Sequence, residues 1–302
     1  MKVLVTGGSG FLGAWIVKRL AASGHRIRIF DVAVNKSLVA EIAGSAADAF
    51  EWRSGDIIET DQVHEAAEGC DAIVHLAGIL TPDCKSDPIR GARINLIGTL
   101  NVFETARKRG IARIVYTSSA AVFGPTDGHT PFPDTHYGAF KLACEGSARA
   151  YWEDHRLASI GFRPFVVYGA GRTTGLTAGP SLACRAAAKG ERYTIPYSGS
   201  AGLVYVDDVA AAYEAALLRE PGGAHVFNMP GDITSNEQVI TEIRRVVPEA
   251  RIDIASLALQ FTPDIEHGDL YTVLPNLQRT SLAEGIRHTI AFHCAERAND
   301  VR

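Results

Sequence analysis

Residues 2 to 24 read KVLVTGGSGFLGAWIVKRLAASG: a β-branched run, a cluster of glycines, then apolar residues at helical spacing stopped by Gly24. A strand that turns through glycines straight into a helix must send that helix back across a sheet, and the next strand then lies parallel to the first. The pattern recurs. "RIRIFD" (26–31) reads as a second strand, "AFEWRSGDI" (49–57) contains a third, and "DAIVHLAG" (71–78) holds a fourth. A long helical segment from about Pro88 to Gly110 leads into "ARIVYTSS" (112–119), a fifth strand. Another helix starts near Tyr137, and "ASIGFRPFVVYG" (158–169) supplies a sixth strand. Strands alternating with helices of this length predict βαβ crossovers and a parallel sheet covered on both faces.

The glycines then acquire a chemical meaning. In "TGGSGFLG" (6–13), Gly8, Gly10 and Gly13 satisfy GxGxxG, and Gly7, Gly10 and Gly13 form GxxGxxG. Between a strand and a helix, such glycines allow a tight turn, close approach of backbone to a pyrophosphate, and packing of helix on strand. The helix start at Phe11 and Leu12 then offers amide donors and a partial positive charge to the phosphates. Asp31 ends the second strand 21 residues after Gly10, where its carboxylate accepts from ribose hydroxyls. Its charge repels a 2′-phosphate, so the expected cofactor is NAD rather than NADP. The fold class expected is α/β: a Rossmann-type, doubly wound parallel sheet with a smaller, partly interleaved C-terminal lobe. After residue 169 the pattern loosens into "GAGRTTGLTAGPS", and "LVYVDDVAAAYEAALL" and "HVFNM" follow later. The expected division is therefore 1–169 as the NAD-binding part, with 202–230 returning to it, and 170–201 plus 231–302 as the substrate lobe.

Composition narrows the class. The chain has 302 residues, a formal net charge of -4 and no dense Lys/Arg cluster, which argues against a nucleic-acid partner. Its five cysteines (Cys70, Cys84, Cys144, Cys184, Cys294) are scattered and lack a CxxC pair, as suits reduced thiols better than disulfides or a metal site. No apolar run approaches the roughly 20 residues of a membrane-spanning helix. The opening residues lack the apolar stretch of a signal peptide. A cytoplasmic protein with a small-molecule substrate, no metal and no membrane partner is expected.

Tyr137 and Lys141 stand four apart at the start of a predicted helix, so they share a face. A tyrosine in water is a poor proton acceptor near neutrality. A neighbouring cation stabilises phenolate and turns the pair into a general acid/base. YxxxK alone is common and usually a surface contact. Here "TSSAAVFG" (117–124) also puts Ser118 and Ser119 at the end of the fifth strand, just before that helix, where open α/β sheets bind ligands. A serine hydroxyl there orients a substrate oxygen for proton exchange with the tyrosine.

In this order, "TGGSGFLG", Asp31, "GDI" (55–57), "HLAG" (75–78), Asn95, "TSSAAVFG", "YGAFK" (137–141), "RPFVVYG" (163–169) and "YVDDVA" (205–210) resemble an extended short-chain dehydrogenase/reductase of the NAD-dependent epimerase/dehydratase family. The resemblance covers roughly residues 1 to 230. It implies that Asp56 and Ile57 touch adenine, and that Leu76, Ala77 and Gly78 line the cofactor path together with Asn95, Thr117 and Val166. It makes Ser119, Tyr137 and Lys141 the catalytic triad, Lys141 also gripping the nicotinamide ribose. Family members often pair through the helices here at about 88–109 and 137–154, so a homodimer is expected. Thr81, Ser119, Arg172 and Thr173 are candidate substrate contacts. His75 reads as a packed residue, and Asp207 and Asp208 as helix-start acids.

Departures from the family bear on the substrate. Nucleotide-sugar epimerases usually carry an asparagine where Val166 stands, and a diphosphate-binding arginine where Ala201 stands. Losing an arginine removes a charge-assisted contact that a buried diphosphate needs. The expected activity is hydride transfer between NAD and a hydroxyl or carbonyl carbon of a small polar substrate, a sugar or sugar acid, with Tyr137 as general acid/base. A nucleotide-sugar 4-epimerase or dehydratase with retained NAD is the alternative. A non-catalytic NAD(P)-sensing protein is a third reading, which the intact Ser119, Tyr137 and Lys141 disfavour.

Overall fold

A computed structural model describes residues 1–125, 127–219, 222–259, 265, 266 and 268–300. The chain begins with β1 (Lys2–Thr6), α1 (Phe11–Ala22), β2 (Arg26–Asp31), α2 (Lys36–Ala43), β3 (Glu51–Ser54), α3 (Thr60–Ala66) and β4 (Ala72–His75). Next come α4 (Thr81–Ser86), α5 (Pro88–Ala92), α6 (Gly98–Arg109), β5 (Arg113–Thr117), α7 (His136–His155), β6 (Ser159–Pro164) and β7 (Val166–Tyr168). The remainder contributes α8 (Gly179–Lys189), β8 (Tyr193–Ile195), β9 (Ser200–Tyr205), α9 (Val206–Leu217) and β10 (Ala224–Met229). It ends with β11 (Asp232–Ser235), α10 (Asn236–Val246), β12 (Ile252–Ile254), α11 (Leu270–Val273) and α12 (Leu282–Asp300).

Seven strands form one sheet in the order β10-β6-β5-β4-β1-β2-β3, and every neighbouring pair runs parallel. Helices cover both faces, so the central strands are buried on both sides. Val3, Val5, Ala72 and Val74 pack into one core, which α1, α8 and α9 share. Leu4, Ile73, Ile114 and Tyr116 point into the other, against α3 and α6. The two-residue period of a strand makes this split. β1 lies between β2 and β4, so the chain leaves it in both directions and the loops after β1 and β4 diverge. That divergence is where an open α/β sheet leaves room for a ligand.

The sequence expectation of one strand over 158–169 is corrected: Pro164 has no N–H to continue the ladder, and β7 leaves the main sheet to run parallel with β9, which pairs antiparallel with β11. β8 and β12 make a further parallel pair. The helical segment expected from Pro88 to Gly110 is present and carries one irregularity. A π turn at Arg93–Ile97 separates α5 from α6, and Asn95 at its centre turns its side-chain amide to partners outside the helix.

His75, at the end of β4, is 1% exposed. Its Nδ1 lies 2.7 Å from the Thr6 hydroxyl on β1 and its Nε2 lies 2.9 Å from the Thr99 hydroxyl on α6. Thr99 already donates to the Asn95 carbonyl at 2.6 Å, so it accepts from Nε2–H, and Nδ1 accepts from Thr6. The ring is a neutral tie between two strands and a helix. Burial, and then the charge of Lys141, push its pKa from 6.5 down to about 3. The unfolded chain therefore binds a proton that the fold does not, and stability that is complete above pH 6.5 is lost as the pH falls toward 3. Urea midpoints should fall with acid by up to about 1.4 kcal/mol per pH unit from this residue. In His75→Gln the pH slope should be shallower by about one proton; identical slopes would show that His75 is not the group responsible.

Candidate active site

The cavity at the divergence of β1 and β4 starts from glycine. Gly7 has φ +69°, and its N–H donates to the Phe30 carbonyl at 2.9 Å. A Cβ on Gly7 would stand 2.7 Å from the Ala77 nitrogen, and one on Gly13 would stand 2.5 Å from the Gly7 carbonyl oxygen. The turns after β1 and β4 thus touch backbone to backbone, which excludes any other residue at Gly7. Gly10 precedes α1 without a side-chain cap, so the amides at Phe11, Leu12 and Gly13 open toward the cavity. Asp31 lies across from them at the end of β2. Its Oδ2 accepts from the Ser9 hydroxyl at 2.6 Å and from the Ser9 amide at 3.2 Å, which fixes the carboxylate before any ligand arrives.

These residues line a cavity of about 870 Å³ that continues past Asp56 and Ile57 and past Leu76, Ala77 and Gly78 to Asn95, Thr117, Tyr137 and Lys141. Lys141 is 3% exposed, and its Nζ donates to the Thr117 carbonyl at 2.8 Å and lies 5.8 Å from the Tyr137 ring centroid. Helix α7 carries both residues and starts at a Thr135 cap, which accepts from the Gly138 amide at 3.1 Å. Gly138 is needed because a Cβ there would fall 2.2 Å from the Ala121 carbonyl oxygen. That contact sets the start of α7 against the short turn Ala120–Val122, which Ser119 caps. Thr117 also donates to the His75 carbonyl and meets the hydroxyl of the buried Tyr213 at 2.7 Å, where burial raises the phenol's pKa.

The two candidate serines part here. Ser118 is fully buried and donates to Glu145, whose carboxylate also takes Arg163 Nε at 2.7 Å. Ser119 is half-buried and, among the described residues, accepts from the Ala121 amide at 3.1 Å, which leaves its own proton for another partner. Ser119 adjoins Thr117 and Ser118 but is not among the residues lining the cavity. Val166 is buried in the core on β7, paired with Leu203, and does not line this cavity. The Arg172 guanidinium turns inward to the Val167 carbonyl and to the Thr177 hydroxyl at 2.8 Å, and burial pushes its pKa down to about 10. Thr173 is exposed and lines a separate cleft beside α8 and α12, and Thr81 follows the lining residue Leu80 without lining the cavity itself.

The structure adds wall residues that spacing did not signal. Val32, Ile79, Leu80 and Ile89 bring apolar surface, and Arg90 and Arg93 bring charge. Those arginines stand three apart just before Asn95; that helical spacing was the available signal, but only the fold brings them onto the wall of this cavity. Among the described residues, no group of His, Cys, Asp and Glu is arranged to hold a metal, and no helix is long and apolar enough to cross a membrane.

Fold and cavity together define an extended short-chain dehydrogenase/reductase. Residues 3–229 match the model of the NAD dependent epimerase/dehydratase family, and the chain belongs to that family. It is 30% identical to a UDP-glucose 4-epimerase of Mycolicibacterium smegmatis over 308 aligned residues, 97% of this chain and 98% of that protein. It is 31% identical to a uronate dehydrogenase of Pseudomonas syringae, an alignment that spans 54% of this chain and 58% of the relative's length. The structure of MoeE5 in complex with UDP-glucose and NAD superposes with a TM-score of 0.83 at 24% identity, covering 99% of this chain and all of that one, a likeness of fold.

Asn95 holds the cavity's back wall. Its Nδ2 donates toward the Ile79 and Gly91 carbonyls at 3.1 and 3.2 Å, and its Oδ1 accepts from the Ile79 amide at 3.2 Å. Asn95→Leu, of similar volume, leaves these buried groups without partners, at about 1–3 kcal/mol for each. The variant should unfold at lower urea by about 2–4 kcal/mol and expose the Ile79 amide to faster hydrogen exchange. Unchanged exchange at Ile79 would mean that the loop is held by something else.

Proposed function

We propose that the chain is an NAD-dependent oxidoreductase that moves hydride between NAD and a hydroxyl or carbonyl carbon of a small, polar, sugar-like substrate. The observation that carries the reading is the pairing of Tyr137 with the buried Lys141 at one end of a cavity that runs past a glycine turn closed to any side chain to Asp31. The residues present fit a dinucleotide. Backbone amides at Phe11 to Gly13 suit the phosphates, Asp31 suits the adenosine ribose, Asp56 and Ile57 flank the adenine end, and Lys141 suits the second ribose. When bound, NAD supplies the hydride chemistry.

The chain's own residues handle the proton. Lys141 is an ammonium with three N–H donors, and one is spent on the Thr117 carbonyl. Two remain for a ribose hydroxyl and for the side of the cavity where Tyr137 stands. As the Tyr137 hydroxyl releases its proton to a substrate oxygen, the ammonium offsets the charge that develops on the phenol oxygen. In the opposite direction the phenolate takes the proton from the substrate hydroxyl. The Ser119 hydroxyl orients the same substrate oxygen. His75 stays neutral and adds no competing charge near Lys141.

The sugar or sugar-acid class is supported by the likeness to a uronate dehydrogenase and by Ala201, 6% exposed on β9, where a diphosphate-binding arginine is absent. A nucleotide-sugar 4-epimerase with retained NAD is the second reading, favoured by the full-length likeness to the Mycolicibacterium smegmatis enzyme. Accumulation of NADH when substrate is offered separates the two. We also propose a cytoplasmic homodimer. Ala139, Ala143, Gly146 and Ala150 form an exposed stripe of small residues on α7, at a spacing that suits close approach of a second helix. Light scattering of a monomer at micromolar concentration removes the dimer, and recovery in a membrane or secreted fraction removes the location.

Tyr137→Phe keeps the ring and deletes the proton-bearing oxygen. Turnover should fall by about two to four orders of magnitude, with NAD affinity nearly unchanged, whereas Lys141→Met should damage both. Full turnover in Tyr137→Phe would refute the acid/base role. Cofactor choice rests on Asp31. Calorimetry should show NAD bound more tightly than NADP by about tenfold or more, as loss of charge-assisted ribose bonds and charge repulsion require. Asp31→Ser should narrow that gap, and NADP binding as tight as NAD in the unaltered protein would contradict the reading.

A further inference from the structure

We propose that Arg90 and Arg93 clamp the diphosphate of the dinucleotide from the side opposite α1, an inference that rests on the cofactor reading above. Six charged side chains line the cavity: Asp31, Asp56, Asp87, Arg90, Arg93 and Lys141. Four are already engaged. Asp31 accepts from Ser9, Asp56 accepts from the Ile58 amide at 3.1 Å, Asp87 caps the Arg90 amide at 2.9 Å, and Lys141 donates to Thr117. The Arg90 and Arg93 guanidinium groups have no hydrogen bond or ion pair among the described residues.

The ligand's charge needs them. The turn from Thr6 to Gly13 contains no Lys or Arg, so it meets phosphate with backbone amides and with the helix dipole of α1, about half a unit charge. A diphosphate on this wall, between the backbone amides of α1 and the exposed Leu80 and Ile89, meets no cation among the described residues other than these exposed arginines within reach of charge-assisted bonding. Arg90 and Arg93 are three apart, so they project from one side of their helical segment. Their backbone is set in place by the π turn and by Asn95, whose bonds to Ile79 tie that turn to the loop that packs on Gly7 through Ala77. Two guanidinium forks are thus carried on a fixed frame while the forks themselves remain available. Asp31 stands at the adenosine end, which leaves the middle of the cavity, rather than a 2′-phosphate, as the place for paired cations.

The experiment is calorimetry on the full chain with NAD, ADP and adenosine, for the unaltered protein, Arg90→Gln, Arg93→Gln and the double variant. Each single change should weaken NAD and ADP by about tenfold, the loss of a charge-assisted bond. Adenosine binding and the thermal midpoint should not move, and the fall in NAD affinity with added salt should be shallower in the double variant. NAD and ADP affinities that do not change in the double variant overturn the clamp while leaving the cofactor reading intact. Equal weakening of adenosine overturns it as well, since the damage is then not to a phosphate contact. A raised KM for substrate with unaltered NAD affinity assigns the arginines to a substrate anion instead. Failure of the unaltered protein to bind NAD or NADP defeats the cofactor reading itself.

Discussion

The rest of the site depends on one contact: the Gly7 backbone lies so close to Ala77 that a Cβ would come within 2.7 Å of its amide nitrogen. β1 and β4 are hydrogen-bonded neighbours up to Thr6 and His75, and immediately beyond that register their loops turn apart. The contact is what lets both turns be tight. It points α1 at the space between them, and Gly13 keeps α1 seated against the same Gly7 carbonyl. A larger residue at Gly7 or Gly13 would displace a loop or a helix and with it the whole cavity wall, which is why the constraint falls on glycine rather than on any polar group.

Around that frame the polar groups are arranged so that Lys141 is held as the cation beside Tyr137. His75 is neutral, Thr6, Thr99 and Thr117 are neutral relays, and Asn95 is an amide satisfied at both ends. The charged Glu145 and Arg163 are paired with each other behind Ser118, away from the cavity. Lys141 therefore stands beside Tyr137 with no carboxylate bonded to it among the described residues, and its burial leaves its field less screened than at a surface. Cys84 and Cys144 touch Asn95, and burial raises both thiols, which disfavours the thiolate form.

Local spacing made the main sheet legible. β1 and β2 fall where β-branched runs meet a glycine turn and a terminal aspartate, and β4 and β5 fall in their apolar runs. Tyr137 and Lys141 were legible for the same reason: four residues on one helix need no tertiary knowledge to be placed together. What local spacing could not carry was any pairing distant in sequence. β7 looks continuous with β6, and only its ladder with β9, Val166 opposite Leu203, takes it out of the main sheet and Val166 away from the cavity. The π turn at Asn95 is set by an amide that bonds to Ile79, a partner 16 residues earlier, so a periodic reading sees one long helix. Arg172 looked like a loop cation free for a substrate, and its burial against Val167 and Thr177 is a property of how the loop folds back. Arg90 and Arg93 carry no local signal beyond their spacing, because charge on a helix usually means a solvated face.

The central claim is spatial: a dinucleotide occupies the cavity at the β1–β4 divergence and reaches from Asp31 to Tyr137. Hydrogen exchange read by mass spectrometry, on the full chain with and without saturating NAD, tests this most directly. The account predicts slower exchange in the segments around Gly7 to Gly13, Asp31 to Ala33, Asp56 to Ile58, Leu76 to Leu80 and the first turn of α7, with little change elsewhere. Protection that instead falls on the separate cleft between α9 and Leu274 to Thr280, or no protection at all at saturating NAD, would contradict it.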